Sequence, residues 1–268
     1  MHRNRKQDLL TISIYFLSGL IGIAAFLYPF LKPNLEATES NPFLDRSVEA
    51  PILTLLLLVI CLGVLLLEVQ GQTVSAKMIA ALGVLVAATA TLRFLEVAIP
   101  GPGGFSPIFV PIILAGYVFG ARFGFLMGTL TMLVSALLTG GVGPWLPYQM
   151  FVAGWIGLTS GWLPHPHDSR WELILLIGFS AGWGILYGLI MNIYFWPFMV
   201  GRGGTDYEPG ISFAQTVGRY LLFYLTTSFV WDLARAIGSG LLIAVLGLPT
   251  IRALSRFRDK FQFQVLST

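Results

Sequence analysis

Apolar residues fall along this chain in eight runs, at roughly residues 9–31, 51–67, 78–98, 106–120, 121–139, 147–163, 173–198 and 217–247. A helix that crosses a bilayer needs about 20 apolar residues, within a range of about 17–25. The 106–120 run is short, and the 217–247 run is long enough to project beyond the bilayer or to break. The pattern predicts an all-α polytopic membrane protein of eight helices, with seven as the alternative count. Residues 32–50 are polar and hold the breakers Pro33, Asn34, Asn41 and Pro42. A shorter polar hinge, Glu68 to Ser75, sets two helices apart from the other six. The expected organisation is a two-helix membrane extension, 1–70, and a compact six-helix unit with a short basic tail, 77–268.

Composition agrees with that reading. Of 268 residues 56% are hydrophobic and 11% charged, with a mean hydropathy of +0.78, whereas soluble domains carry about 25% charged residues. The positions of the charges orient the chain. Arg3, Arg5, Lys6, Lys77, Arg122, Arg170, Arg252, Arg256, Arg258 and Lys260 all land on one side of eight spans. The positive-inside rule makes that side cytoplasmic, with both termini there and the protein in the cell membrane. The net charge of +3 then reflects topology, and no face for nucleic acid is expected. The first run is too long for a signal-peptide core and no Ala-x-Ala site follows it, so it is expected to stay as an anchor.

Chemistry is sparse. The single cysteine, Cys61, lies in an apolar run, leaving no basis for a disulfide framework or a thiolate metal site. His165, Pro166, His167 and Asp168 invite a metal reading, but no third histidine is near, and no metal is expected. The chain contains no Walker A loop or His-Glu-x-x-His motif. No cofactor is expected, and ATP-driven work would need separate ATPase subunits.

Between two runs lies Gly140-Gly141-Val142-Gly143-Pro144-Trp145-Leu146-Pro147-Tyr148-Gln149-Met150. Three glycines and two prolines cannot continue a helix, and irregular backbone at membrane depth survives only beside protein or water. The stretch resembles the loop before the fourth helix in substrate-binding subunits (S-components) of energy-coupling factor (ECF) vitamin transporters. Those proteins often read Gly-Pro-Trp-x-Pro-x-Gln-Met here, followed by a Gly-rich helix. The match continues through Phe151, Gly154, Gly157 and Gly161. The resemblance covers roughly residues 77–260, and 1–70 carries no family signature. It implies a six-helix core that binds a small vitamin-like molecule from outside. It also implies an ECF membrane coupling subunit and two ATP-binding-cassette ATPases as partners.

Small residues recur at helical spacing on the third run: Ala76, Ala80, Gly83, Ala87 and Thr91. Such residues let helices approach closely in lipid; the resemblance makes this the face that docks the coupling subunit, with ordinary packing within the chain as the other reading. Gly116, Gly120, Gly124 and Gly128 flank a turn at Ala121-Arg122 and read as a tight hairpin.

Four ionisable residues fall inside predicted spans: Arg93 with Glu96, and Asp232 with Arg235, each pair spaced i, i+3 on one helix face. A bare charge at the bilayer centre costs at least about 2.5–3.5 kcal/mol. The four are expected to form a network, and Arg93 and Glu96, near the outer surface, are also candidates for ligand contact. Phe105, Trp145, Tyr148, Gln149, Asn192 and Trp196 reach the same outer level and complete the candidate substrate site. The aromatic members singly fit an interfacial belt, whereas buried amides need partners, which favours Gln149 and Asn192. A membrane-embedded enzyme using Asp232, Glu96 or the histidine loop, and a non-catalytic scaffold, remain the rival classes.

Overall fold

The computed structural model describes residues 76–98, 106–198, 204–208 and 210–262, with residues 13, 16, 17, 19–27, 30, 52, 55, 56 and 59 of the N-terminal part. From Ala76 onward the chain forms α1 (Ala76–Ala98), α2 (Phe109–Phe119), α3 (Ala121–Thr139), α4 (Leu146–Ser160) and α5 (Ser169–Phe195). A 3-10 turn (Trp196–Phe198) follows, then α6 (Phe213–Thr227) and α7 (Phe229–Gln262). Four stretches are long and apolar enough to span a bilayer, Lys77–Ala98, Ala121–Thr139, Ser169–Phe195 and Phe229–Lys260, with Phe109–Phe119 as a shorter apolar helix. The all-α polytopic membrane class read from the sequence is what the described residues form.

Backbone chemistry explains the boundaries. Gly120, at φ 96°, turns α2 into α3, and Gly140, at φ 66°, closes α3 in the left-handed region that side chains avoid. The Gly140–Pro144 stretch stays non-helical as expected, and α4 starts with Pro147 in its first turn, where a missing N–H costs nothing. Asp168 caps α5 by accepting from the Arg170 backbone N–H at 2.8 Å, and Ser212 with Gln215 forms a reciprocal capping box on α6.

The last apolar run does break, and the six-run core therefore holds seven α-helices among the described residues. Thr226 and Thr227 bond back to the Leu222 and Phe223 carbonyls at 2.9 and 2.7 Å, and Ser228 bonds sideways to Asn192. Hydroxyls that bond back to the backbone loosen a helix at that point. At 34 residues, α7 is about 51 Å long at 1.5 Å per residue and outruns a hydrocarbon core of about 30 Å. Its basic end is tied down where Arg258 Nη1 donates to the Val118 carbonyl at 2.9 Å.

α2 and α3 occupy the interior. Nine of the eleven α2 residues are buried, and 61% of the α3 span is buried, against 28% in the α1, α5 and α7 spans. The tight hairpin expected from the glycine series is present, and its packing partner is α4. A Cβ on Gly157 would overlap the Gly124 carbonyl, one on Gly128 the Ala153 carbonyl, and one on Gly116 the Gly157 carbonyl. Backbones touch here because side chains are absent. Gly157→Leu is expected to destabilise the protein by about 1–3 kcal/mol or more through overpacking. Gly178→Leu, at an exposed position with open space around it, should leave the melting temperature in detergent within a degree or so of the parent's. Equal melting temperatures would contradict the contact.

Candidate functional site

Arg93 and Glu96 lie half-buried on α1. The Arg93 guanidinium reaches two neighbouring helices: Nη1 lies 2.7 Å from Met132 Sδ on α3, and Nη2 donates to Gln149 Oε1 on α4 at 3.4 Å. Both acceptors are neutral. Glu96 Oε2 accepts from Ser106 Oγ at 2.7 Å, just ahead of α2. A guanidinium, a carboxylate and a primary amide thus meet where α1, α3 and α4 converge. Phe105, one residue before Ser106, lies outside the described residues.

The second pair lies deeper. Asp232 is 2% exposed and pairs directly with Arg235, whose side chain is 16% exposed. Because the last run breaks at Ser228, Asp232 occupies the first turn of α7, where the helix dipole favours an anion. Gly188 on α5 leaves the room: a Cβ there would overlap the Asp232 carboxylate, and one on Gly184 would meet the Ala236 backbone at 2.6 Å. The Arg235 guanidinium lies over the Tyr187 ring at 5.2 Å and the Phe109 ring at 5.9 Å, a cation–π arrangement that replaces part of its lost hydration. Tyr224 approaches the carboxylate from α6.

Tyr187 lies buried under the Arg235 guanidinium. The charges of Arg93, Arg235, Glu96 and Asp232 all act on it, and Arg235 acts on Glu96 as well. The four charges sum to zero within one region, which is how ionisable groups persist at membrane depth. Sequence reading missed Tyr187, Phe109 and Gly188. Gly184 and Gly188 stand at i, i+4 on α5, matching Asp232 and Ala236 on α7, and that complementary spacing was the available signal.

The remaining candidates divide into separate contacts. Tyr148 is buried against Tyr194 and Phe26, with ring centroids 4.3 and 4.9 Å away. Trp145 is 38% exposed and folds back over Gly143, its indole donating to the Gly141 carbonyl at 3.3 Å. Trp196 is buried between Tyr207 and Tyr220 and donates to the Thr205 carbonyl at 2.7 Å, fastening the 204–208 segment over α5. Asn192 uses both ends of its amide within the protein, donating to the Gly188 carbonyl at 2.8 Å and accepting from Ser228 at 3.1 Å. It joins α5 to the α6–α7 break. His165 is engaged at the opposite end, stacked on Tyr117 at 4.2 Å with Nε2 3.1 Å from the Tyr117 carbonyl.

On α1 the small residues point away from the bundle. Ala80, Gly83, Ala87 and Thr91 are exposed, while Ala81, Leu82, Val86 and Ala90 are buried; Gly83 has nothing within 4 Å of its Cβ position. The side chain of Ala76 lies outside the described residues.

Removing one partner of a buried ion pair typically costs about 3–5 kcal/mol, because it strands the other charge. Asp232→Ala should therefore lower the detergent melting temperature more than Asp206→Ala, which sits half-buried in the 204–208 segment. Gly188→Ala should act in the same direction by pushing on the carboxylate. Equal melting temperatures for the two aspartate variants would mean that Asp232 is solvated.

The sequence profile described as "ECF transporter, substrate-specific component" matches residues 77–247. No curated protein and no solved structure matches the chain. The matched residues contain α1 to α6, the first half of α7 and both charge pairs, and the fold around them is a helical membrane bundle. The chain belongs to the substrate-specific components of ECF transporters, and is a membrane-embedded transporter subunit.

Proposed function

We propose that the protein binds a vitamin or related micronutrient at the outer end of the bundle and delivers it inward, working with an ECF coupling subunit and two ABC ATPases. The observation that carries this reading is the half-buried group Arg93, Gln149, Glu96 and Ser106, gathered from α1, α4 and the segment before α2. Small-molecule sites are mostly apolar with a few placed polar groups, and the aromatic surfaces of Trp145 and Tyr148 adjoin this set on the chain. Tyr148 and Trp196 support the site through packing, and Asn192 through its clamp on α5. The loop 140–147 covers the ligand; of the other two loops expected to do so, 99–104 and the start of 200–212 lie outside the described residues. The protein sits in the plasma membrane with the arginine-rich end and both termini cytoplasmic, as the charge asymmetry favours.

The outward face of α1 docks the coupling subunit. Its support is that Ala80, Gly83 and Ala87 present a small-residue surface left exposed among the described residues, the kind of surface on which a second membrane helix packs.

Two substitutions separate binding from coupling. Gln149→Ala should weaken binding of the co-purified ligand by about 1–3 kcal/mol, the cost of a lost buried hydrogen bond, with little change in the ligand-free melting temperature. Ala80→Trp should leave that affinity near the parent's while abolishing ATP-dependent uptake in vesicles holding the complete transporter. Titration calorimetry and the uptake assay read the two outcomes. Unchanged affinity in Gln149→Ala moves the site elsewhere, and uptake that survives Ala80→Trp refutes the docking face.

A further inference from the structure

Two acid–base pairs of the same spacing behave differently in this chain. Asp232 and Arg235, at i, i+3 on α7, bond directly to each other. Arg93 and Glu96, at i, i+3 on α1, do not. Among the described residues no carboxylate lies within ion-pair distance of Arg93, and Glu96 takes its hydrogen bond from Ser106. Charge order accounts for part of the contrast: an acid that precedes its base along a helix pairs better than the reverse. Asp232 precedes Arg235, whereas Arg93 precedes Glu96.

The free capacity differs as well. Arg235 Nε and Asp232 Oδ2 are sealed inside the bundle without a partner, and no atom of Arg93 or Glu96 is sealed in that way. The Arg93 guanidinium spends one N–H on Met132 and one on Gln149, which leaves its Nε–H and a further N–H on each terminal nitrogen. Glu96 accepts through Oε2, which leaves Oε1. Both side chains are half-buried, while Phe94, Leu95 and Val97 around them are exposed. The two charges continue the inward face of α1 after the buried Val86 and Ala90.

Taking the ligand site to be the outer polar group proposed above, we propose that its ligand is a small zwitterion. A carboxylate or phosphate of the ligand lies against Arg93, and a cationic nitrogen lies against Glu96. A half-buried charge that meets only neutral partners is under-compensated, and here two of opposite sign project from Cβ atoms about 5–6 Å apart on one helix face. A ligand bearing an anion alone would satisfy Arg93 and strand Glu96, and a cation alone would do the reverse. A neutral ligand would satisfy neither. A zwitterion answers both charges and leaves the four-charge region neutral. The guanidinium fork suits a carboxylate or phosphate, which it can hold through two parallel N–H bonds. The Met132 and Gln149 contacts fix that fork in place.

The test reads the charge of what the protein keeps. The full-length protein is produced in rich medium supplemented with micronutrients of each charge class: neutral riboflavin, anionic biotin and pantothenate, cationic thiamine, and thiamine monophosphate and pyridoxamine 5′-phosphate, which carry both charges. Mass spectrometry identifies the compound retained after purification in detergent. That compound is then titrated back by calorimetry, as itself and as the ester of its acidic group. The retained compound should carry both an acid and a cationic nitrogen. Arg93→Gln and Glu96→Gln should each weaken its binding by about tenfold to a hundredfold. Esterification should weaken binding to the parent by a similar factor and cost nothing further in Arg93→Gln, a pattern that a merely structural role for Arg93 does not produce. A retained compound that lacks either charge overturns the proposal and leaves the outer binding site standing. An ester that loses as much affinity in Arg93→Gln as in the parent overturns the assignment of the anion to Arg93. Retention of no compound at all defeats the binding reading itself, and the zwitterion with it. The identity of the compound held by the parent decides the charge class even where a variant does not fold.

Discussion

The close backbone contact between α3 and α4 is the constraint on which the arrangement rests. Lipid offers no hydrophobic force to press helices together, so association depends on dispersion and on how near two backbones can come. Gly124 and Gly157 remove the side chains that would hold α3 and α4 apart, and Gly116 and Gly128 extend the same contact to the α2–α3 hairpin and along α4. With α4 fixed against α3, its first turn has a set height. Gln149 on α4 and Met132 on α3 then both face Arg93 from α1. A shift of α4 along α3 would separate the amide from the guanidinium.

The charges impose the second constraint. Asp232 and Arg235 are kept from water by α5, which supplies glycine clearance and the Tyr187 ring, by α2 with the Phe109 ring, and by α6 with a phenol. This pair holds the break at Ser228 against α5. Arg93 and Glu96 are less enclosed and make their direct hydrogen bonds to neutral groups. One pair is committed to the structure, and the proposed ligand site draws on the other.

Much of the fold was legible in the sequence because lipid limits the choices. Apolar run length marks helices, and Gly140 to Pro144 has no way to be helical. Glycine spacing at Gly116–Gly128 required a close neighbour, but it did not reveal that α4 is that neighbour. Intervals alone also did not say which way the small residues of α1 face, since the same spacing serves an inner or an outer surface. The break at Ser228 was hidden for a different reason: threonine and serine are ordinary inside membrane helices, and only the Asn192 contact and the back-bonded hydroxyls make them a joint. At the candidate site, the i, i+3 pairs and Gln149 could be named from their depth. That Asn192 spends its amide on Gly188 and Ser228 depends on how α5 meets α6 and α7, which local sequence does not encode.

The central claim is that the outer polar group on α1 and α4 holds a small organic molecule. Mass spectrometry of small molecules released from the purified full-length protein tests it most directly. The account predicts one vitamin-like compound retained by the parent and lost when Arg93 and Gln149 are both replaced by alanine. A parent that retains no such compound, or a compound held equally well by the double variant, would contradict it.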